Sequence, residues 1–318
     1  MMKKLPVIIS PYIKTRYPYN KLKICRRCNH FTVLGDEDCP VCGKSSLLGV
    51  EQRAASILKR SMWGARVIVM LIWAISLVVS QSILQTSLSI IGGAVLLALL
   101  WTLQRRLTPA LLRVELENLF HKEAYTLVAG LANDREEAIK VFHSGNKPLA
   151  YEMLREIGAL VHTDQLRIEQ ILLLQSFMLR KDMDLMIDPL LMDHFNTDLV
   201  EYIGELAKIR RDLLKENTFR YVLLHEIQIL KMEQGDNILA SVAGAAVRMQ
   251  RYISLYPYLI MRYAGKLPKD RFLRLYRMLQ SNPEIGTGPL YEEVMRVYNE
   301  KYKWDEDFRS TGNETELK

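Results

Sequence analysis

VIVMLIWAISLVVSQSILQTSLSIIGGAVLLALLWTLQ, residues 67–104, runs for 38 positions without one Asp, Glu, Lys or Arg. One crossing of a bilayer's ~30 Å hydrocarbon core takes ~20 apolar residues. At ~1.5 Å per residue a wholly helical run of this length reaches ~57 Å, about two crossings. Its polar punctuation falls in the middle, at Ser80, Gln81, Ser82, Gln85, Thr86 and Ser87. The pattern predicts a tight transmembrane helical hairpin over 67–104. One buried helix, or one span with an interfacial stretch, is the alternative, but the polar flanks offer little to cover so long an apolar run.

Lys59, Arg60 and Arg66 precede this run and Arg105 and Arg106 follow it, while the turn carries no charge. Positive flanks stay on the cytoplasmic side, so both termini are expected in the cytoplasm, with the chain an integral protein of the cell membrane. Ser89, Gly92, Gly93 and Ala94 allow the second helix to approach the first closely. Leu5 to Ile9 is too short an apolar stretch, and too interrupted by Pro6, to read as a signal peptide.

The formal charge of +7 is uneven: residues 1–66 contribute +9 and residues 105–318 contribute −2. A basic segment just before a membrane is drawn to an anionic leaflet at ~1 kcal/mol per residue. Nucleic acid attracts the same charge.

All four cysteines of the chain lie in this basic part, as Cys25-Arg26-Arg27-Cys28 and Cys39-Pro40-Val41-Cys42. Two CxxC knuckles offer four thiolates that can close a tetrahedron around Zn²⁺ at ~2.3 Å. Gly43, and Asn29 after the first pair, supply the permissive backbone such turns need. The intervening residues read as a short strand at 31–34 and a turn at 35–38. The segment 21–46 resembles a zinc ribbon, the small module found at the head of many bacterial proteins. That resemblance implies Cys25, Cys28, Cys39 and Cys42 as ligands of a structural zinc. Asn29 stands where a glycine is frequent. His30 is surplus to the set. Arg26, Arg27, Lys21 and Lys23 surround the first knuckle and suit an acidic partner or a phosphate backbone. Tyr12, Tyr17 and Tyr19 alternate with Lys14 and Arg16, a mixture that serves single-stranded nucleic acid or simply packs an extended arm.

Beyond the hairpin the pattern is helical from 108 to 302, with apolar residues at intervals of three and four. Turns or starts are expected at Asn133 with Glu136, then at 145–148, 163–164, 188–189, 196–197, 235–237, 265–268 and 282–289. No fixed repeat of 34 to 45 residues holds. Met178, Met183, Met186 and Met192 cluster as core or as an adaptable groove, and the small-residue run 240–247 marks a close helix crossing. The histidines are scattered, His225-Glu226 lacks a second His four residues on, and no cysteine is left as a nucleophile. Glu117 and His121 share a helix face as a solvated pair.

The expected fold is mainly α. It comprises an arm and zinc ribbon with short β at 1–48, an amphipathic linker helix at 49–66, and the hairpin at 67–104. A cytosolic all-α domain, a bundle or an irregular superhelix, follows at 105–303, with a disordered tail at 304–318. The expected function is a non-catalytic scaffold or regulatory protein, tethered to the lipid bilayer, whose helical domain binds a protein partner. No small-molecule substrate is evident. The other readings are a nucleic-acid-binding regulator acting through the ribbon and an accessory subunit of a membrane transporter.

Overall fold

The computed structural model describes residues 4–35, 38–80, 82–282 and 288–309. It is mainly α, with one small sheet, and it divides into two units: Ile13–Ser144, and Met1–Tyr12 together with Gly145–Lys318. The expected turn at 35–38 falls partly, and the tail from 310 wholly, outside the described residues, as do 283–287 within the expected break at 282–289.

In the first unit, strands β1 (Lys23–Cys25), β2 (Phe31–Thr32) and β3 (Leu47–Gly49) form an antiparallel sheet in the order β2-β1-β3. Helix α1 (Val50–Val79) follows directly, so the expected linker helix and first apolar helix are one continuous rod. After a break at Ser80 to Ser82, α2 (Ile83–Lys122) returns beside it; Ser82 caps it by accepting the Gln85 N–H at 3.3 Å. The turn is tighter than the polar cluster suggested, because Gln85, Thr86 and Ser87 are already helical. Thr86 reaches back to the Ser80 hydroxyl at 2.8 Å. Trp73 Nε1 donates to the Ser89 carbonyl at 2.9 Å, and a side chain on Gly93 would fall within 2.1 Å of the same indole nitrogen. Gly93 is therefore what lets the two helices close.

At the open end of the hairpin Gln104 donates to the Met62 carbonyl at 3.4 Å, which sets these residues at one level. Arg66, a turn nearer the tip, sends its guanidinium back to Gln104 Oε1 at 2.8 Å. From that level to the tip α1 rises about 27 Å and α2 about 32 Å. Both helices are long and apolar enough to cross a membrane, and none of either apolar window is buried.

Helix α3 (Ala124–His143) completes this unit. It runs unbroken through Asn133, where a helix start was expected: the side chain of Asp134 is engaged by the ribbon and the backbone stays helical.

The second unit holds α4 (Lys147–Gly158), α5 (Asp164–Gln175), α6 (Thr197–Ile209), α7 (Glu216–Leu224), α8 (Glu226–Leu230), α9 (Gly235–Ala246), α10 (Gln250–Leu255), α11 (Pro257–Tyr263), α12 (Lys269–Ser281), α13 (Pro289–Lys301) and α14 (Glu306–Arg309). Short helices separated by Asn caps and prolines match the breaks read from the sequence; Asn196, for example, caps α6 by accepting the Leu199 N–H at 2.9 Å. The small-residue helix α9 is almost wholly buried and sits against α6, α8 and α11. A Cβ at Gly204 of α6 would lie 2.9 Å from Ile238 of α9, which shows how closely these helices cross.

Two features depart from the helical reading. Residues 177–187 form no helix; they run irregularly with alternating burial, Met183, Leu185 and Ile187 inward and Asp182 and Asp184 outward. Met183 and Met192 are core, whereas Met178 is exposed. Against this segment lie residues 4–12. Leu5 pairs with Phe177, its N–H donating to the Ser176 carbonyl at 3.0 Å and its carbonyl accepting the Met178 N–H at 2.8 Å. Further along, the Ser10 N–H donates to Glu152 at 2.6 Å, the Ser10 carbonyl accepts from Arg155 at 2.9 Å, and the Tyr12 N–H donates to Asp184 at 2.9 Å. The arm thus belongs with the helices and not with the ribbon that follows it in sequence.

The other departure is at 304–309, expected to begin a disordered tail. Phe308 is buried against Phe272, Tyr276, Tyr298 and Tyr302, with ring centroids 4.9 to 6.0 Å away. Truncation of a buried Phe costs about 3–5 kcal/mol. Phe308→Ala should cost about 3 kcal/mol, the lower end because a terminal turn can fray, measured as a lower midpoint of chemical unfolding for the helical unit.

Candidate metal centre

The two cysteine knuckles are built the same way. Asn29 N–H bonds to the Cys25 carbonyl at 3.0 Å and Gly43 N–H to the Cys39 carbonyl at 2.8 Å. The Cys25 N–H bonds to the His30 carbonyl at 2.9 Å and the Cys39 N–H to the Lys44 carbonyl at 3.0 Å. Each turn needs one left-handed residue to point its N–H groups toward the sulfurs. Asn29 (φ 55°) and Gly43 (φ 63°) provide it, in the positions the motif assigned.

This folding brings the sulfurs of Cys25, Cys28, Cys39 and Cys42 within 4.8 Å of one another. Cys25 to Cys42 and Cys28 to Cys39 are each 3.6 Å. A disulfide needs about 2.05 Å, and all four cysteines are free. A tetrahedron of metal–sulfur bonds of ~2.3 Å sets its sulfurs about 3.8 Å apart, so the spacing fits one metal ion held by four thiolates. Among the described residues no other group of three or more His, Cys, Asp or Glu gathers ligand atoms this way.

The thiols are not equivalent. Burial works against ionising Cys25, but the Ser46 hydroxyl, 2.9 Å away, and the Cys28 and Arg27 N–H groups outweigh it and draw the thiol down to about 6. Burial pushes Cys28 up, to about 12, and the neighbouring sulfurs add to the effect. Four like charges this close oppose one another, and a bound cation removes the conflict.

The basic residues expected around the first knuckle are not alike either. Arg26 and Arg27 are exposed on it, whereas the Lys23 ammonium donates to the Gly35 carbonyl at 2.6 Å and Lys21 is half-buried. His30 stays outside the sulfur cluster, its Nε2 buried without a hydrogen-bond partner among the described residues.

Sequence reading missed the residue that holds this module in place. Asp134 of α3 is 3 % exposed; it accepts the Thr32 hydroxyl at 2.8 Å and the Val33 N–H at 2.8 Å. Burial raises its carboxyl above the usual 3.8, against the pull of those two donors. One turn earlier, Gly130 leaves room for β2: a Cβ there would be 2.2 Å from the Phe31 carbonyl oxygen. The only signal was a glycine and an aspartate four apart on one helix face, which a capping motif imitates.

Comparison with models of protein families, with curated proteins and with solved structures finds no match to this chain.

Replacing any one of the four cysteines by Ser should weaken metal binding by more than the roughly 10–100-fold that loss of an outer-shell partner costs, read by competition with a chromogenic chelator. Asp134→Ala should leave the metal content unchanged. By stranding the Thr32 and Val33 donors it should still lower stability by about 1–3 kcal/mol.

Proposed function

We propose that this chain is a non-catalytic membrane-tethered scaffold or regulatory protein whose helical unit binds a protein partner. The observation that carries the tether is the uncovered apolar surface of the hairpin: Val78 is 86 % and Ile83 90 % exposed, and the windows around them contain no buried residue. The 27–32 Å height fits a ~30 Å hydrocarbon core. Arg66 turning back toward Gln104 suits an arginine that snorkels to the interface. Positive flanks at the open end then put both termini on the cytoplasmic side of the cell membrane.

The metal in this reading is structural Zn²⁺. Four thiolates fill a tetrahedral zinc and leave no position for water or substrate, so Cys25, Cys28, Cys39 and Cys42 fasten the ribbon and take no part in chemistry. The absence of charge within the hairpin argues against its being a transport path. A nucleic-acid role for the ribbon has one specific support, the exposure of Arg26 and Arg27 on the first knuckle.

The test is affinity capture of the full chain from membranes in mild detergent, with protein identification and a nucleic-acid assay on one eluate. The proposal expects one equivalent of zinc and a stoichiometric protein partner retained by Arg26→Ala/Arg27→Ala. Nucleic acid recovered in salt-dependent fashion, and lost with that double variant, would replace it by the second reading.

A further inference from the structure

One face of the hairpin carries a hollow. Between α1 and α2 lies a cleft of about 320 Å³, walled by Ile72, Trp73, Ser76, Gly92 and Leu96 among others. Its polar groups engage one another: Trp73 Nε1 donates to the Ser89 carbonyl at 2.9 Å and the Ser76 hydroxyl to the Ser89 hydroxyl at 3.0 Å. The cleft therefore offers a guest an apolar shape. The two glycines beside it differ. Gly93 faces α1, whereas a Cβ on Gly92 would meet nothing within 4 Å. Gly92 opens the surface outward and adds nothing to the closure of its own hairpin.

The same face of α2 continues as an apolar stripe. Leu96, Leu99, Leu103, Leu107, Ala110 and Val114 follow Gly92 at steps of three and four, and each of them is exposed. With Gln104 at the edge of the hydrocarbon core, Ala110 and Val114 stand ~9 and ~15 Å further along the axis. A headgroup layer is only ~5–8 Å deep. Acyl chains can fill the hollow at Gly92, but they do not reach Val114, which is 52 % exposed. The neighbouring part of α1 has no such stripe; its exposed residues there include Gln52, Ser56, Lys59 and Arg60.

A cover for the whole stripe has to be a helix that crosses the bilayer beside α2 and stays apolar for ~15 Å beyond the hydrocarbon. The α2 helix of a second copy meets both conditions. Its direction of insertion is the same, so the two helices run parallel and their stripes lie level. Hollow and stripe share one face, with the bulky Leu96 one turn from the gap at Gly92. Such a face is complementary to itself, which is what a two-fold interface requires.

We propose that α2 pairs with α2 of a second copy about a two-fold axis along the membrane normal. The Gly92 hollow of each copy takes Leu96 of the other, and Leu103 to Val114 close on their counterparts as a short parallel coiled coil. This pairing rests on the membrane tether proposed above. A scaffold paired in this way presents its partner-binding unit twice.

The test uses the full chain in membranes, co-expressed in two differently tagged forms, one carrying p-benzoylphenylalanine in place of Leu111 beside the stripe. Irradiation should yield a species of twice the chain mass bearing both tags, cross-linked within 103–118 of the other copy. Gly92→Ile fills the hollow without touching its own hairpin. Leu107→Glu with Val114→Glu puts charges on the water-side half at positions already exposed. Either change should lower the yield at least about tenfold. Adducts confined to lipid, to a different protein or to the chain's own residues would overturn the pairing. An alkaline carbonate wash separates this outcome from the tether. A chain that stays in the membrane but gives no doubly tagged species overturns the pairing alone, and a chain that is released overturns the tether with it.

Discussion

Large apolar side chains that face outward along two long helices, away from the seam between them, set the terms for everything else in this protein. Ile68, Leu71, Ile72, Val78, Ile83, Leu84, Leu88 and Ile91 are each exposed along the hairpin. Removing one such side chain from water is worth about 1.5–3 kcal/mol. The eight together are worth of order 10 kcal/mol, which equals the whole stability of an ordinary domain. Packing inside the hairpin cannot recover that sum, since the contact through Trp73, Ser89 and Gly93 uses only one stripe of each helix. A bilayer would supply the missing cover, and this is the ground on which we propose that the hairpin lies in one.

The ribbon solves a different problem. A sheet of two- and three-residue strands buries too little to fold unaided, and a metal ion held by the four cysteines would add the free energy it lacks. Metal alone would leave the module loose. Asp134 and Gly130 on α3 fix it by a buried carboxylate that accepts two donors and by a gap that only glycine leaves. The ribbon, the hairpin and α3 form one unit for that reason.

The parts legible in sequence were those with local causes. An uncharged run, a pair of CxxC knuckles followed by residues that tolerate positive φ, and Asn or Pro at helix starts each act within a few residues. What escaped was set by distant partners. The arm reads as a basic, tyrosine-bearing leader to the ribbon, yet Val7 and Ile9 are buried among helices more than 130 residues further along. Residues 177–187 hold Met, Leu and Ile at two-residue spacing, a strand-like signal hidden by the helical composition around it. Asp134 resembles part of a helix cap until Thr32 and Val33 are brought to it. Phe308 reads as part of a polar tail because the four rings that bury it come from α12, α13 and the turn after α13.

The central claim is that α1 and α2 cross a membrane twice and leave both flanks on one side. Single cysteines for a membrane-impermeant maleimide test it directly, one placed at Ser82 at the tip and one at Ser61 near the open end, in intact cells and in inverted membrane vesicles. The account predicts labelling of the Ser82→Cys chain only from the outer face and of the Ser61→Cys chain only from the cytoplasmic face. Labelling of both positions from the same face, or release of the chain from membranes by alkaline carbonate, would contradict it.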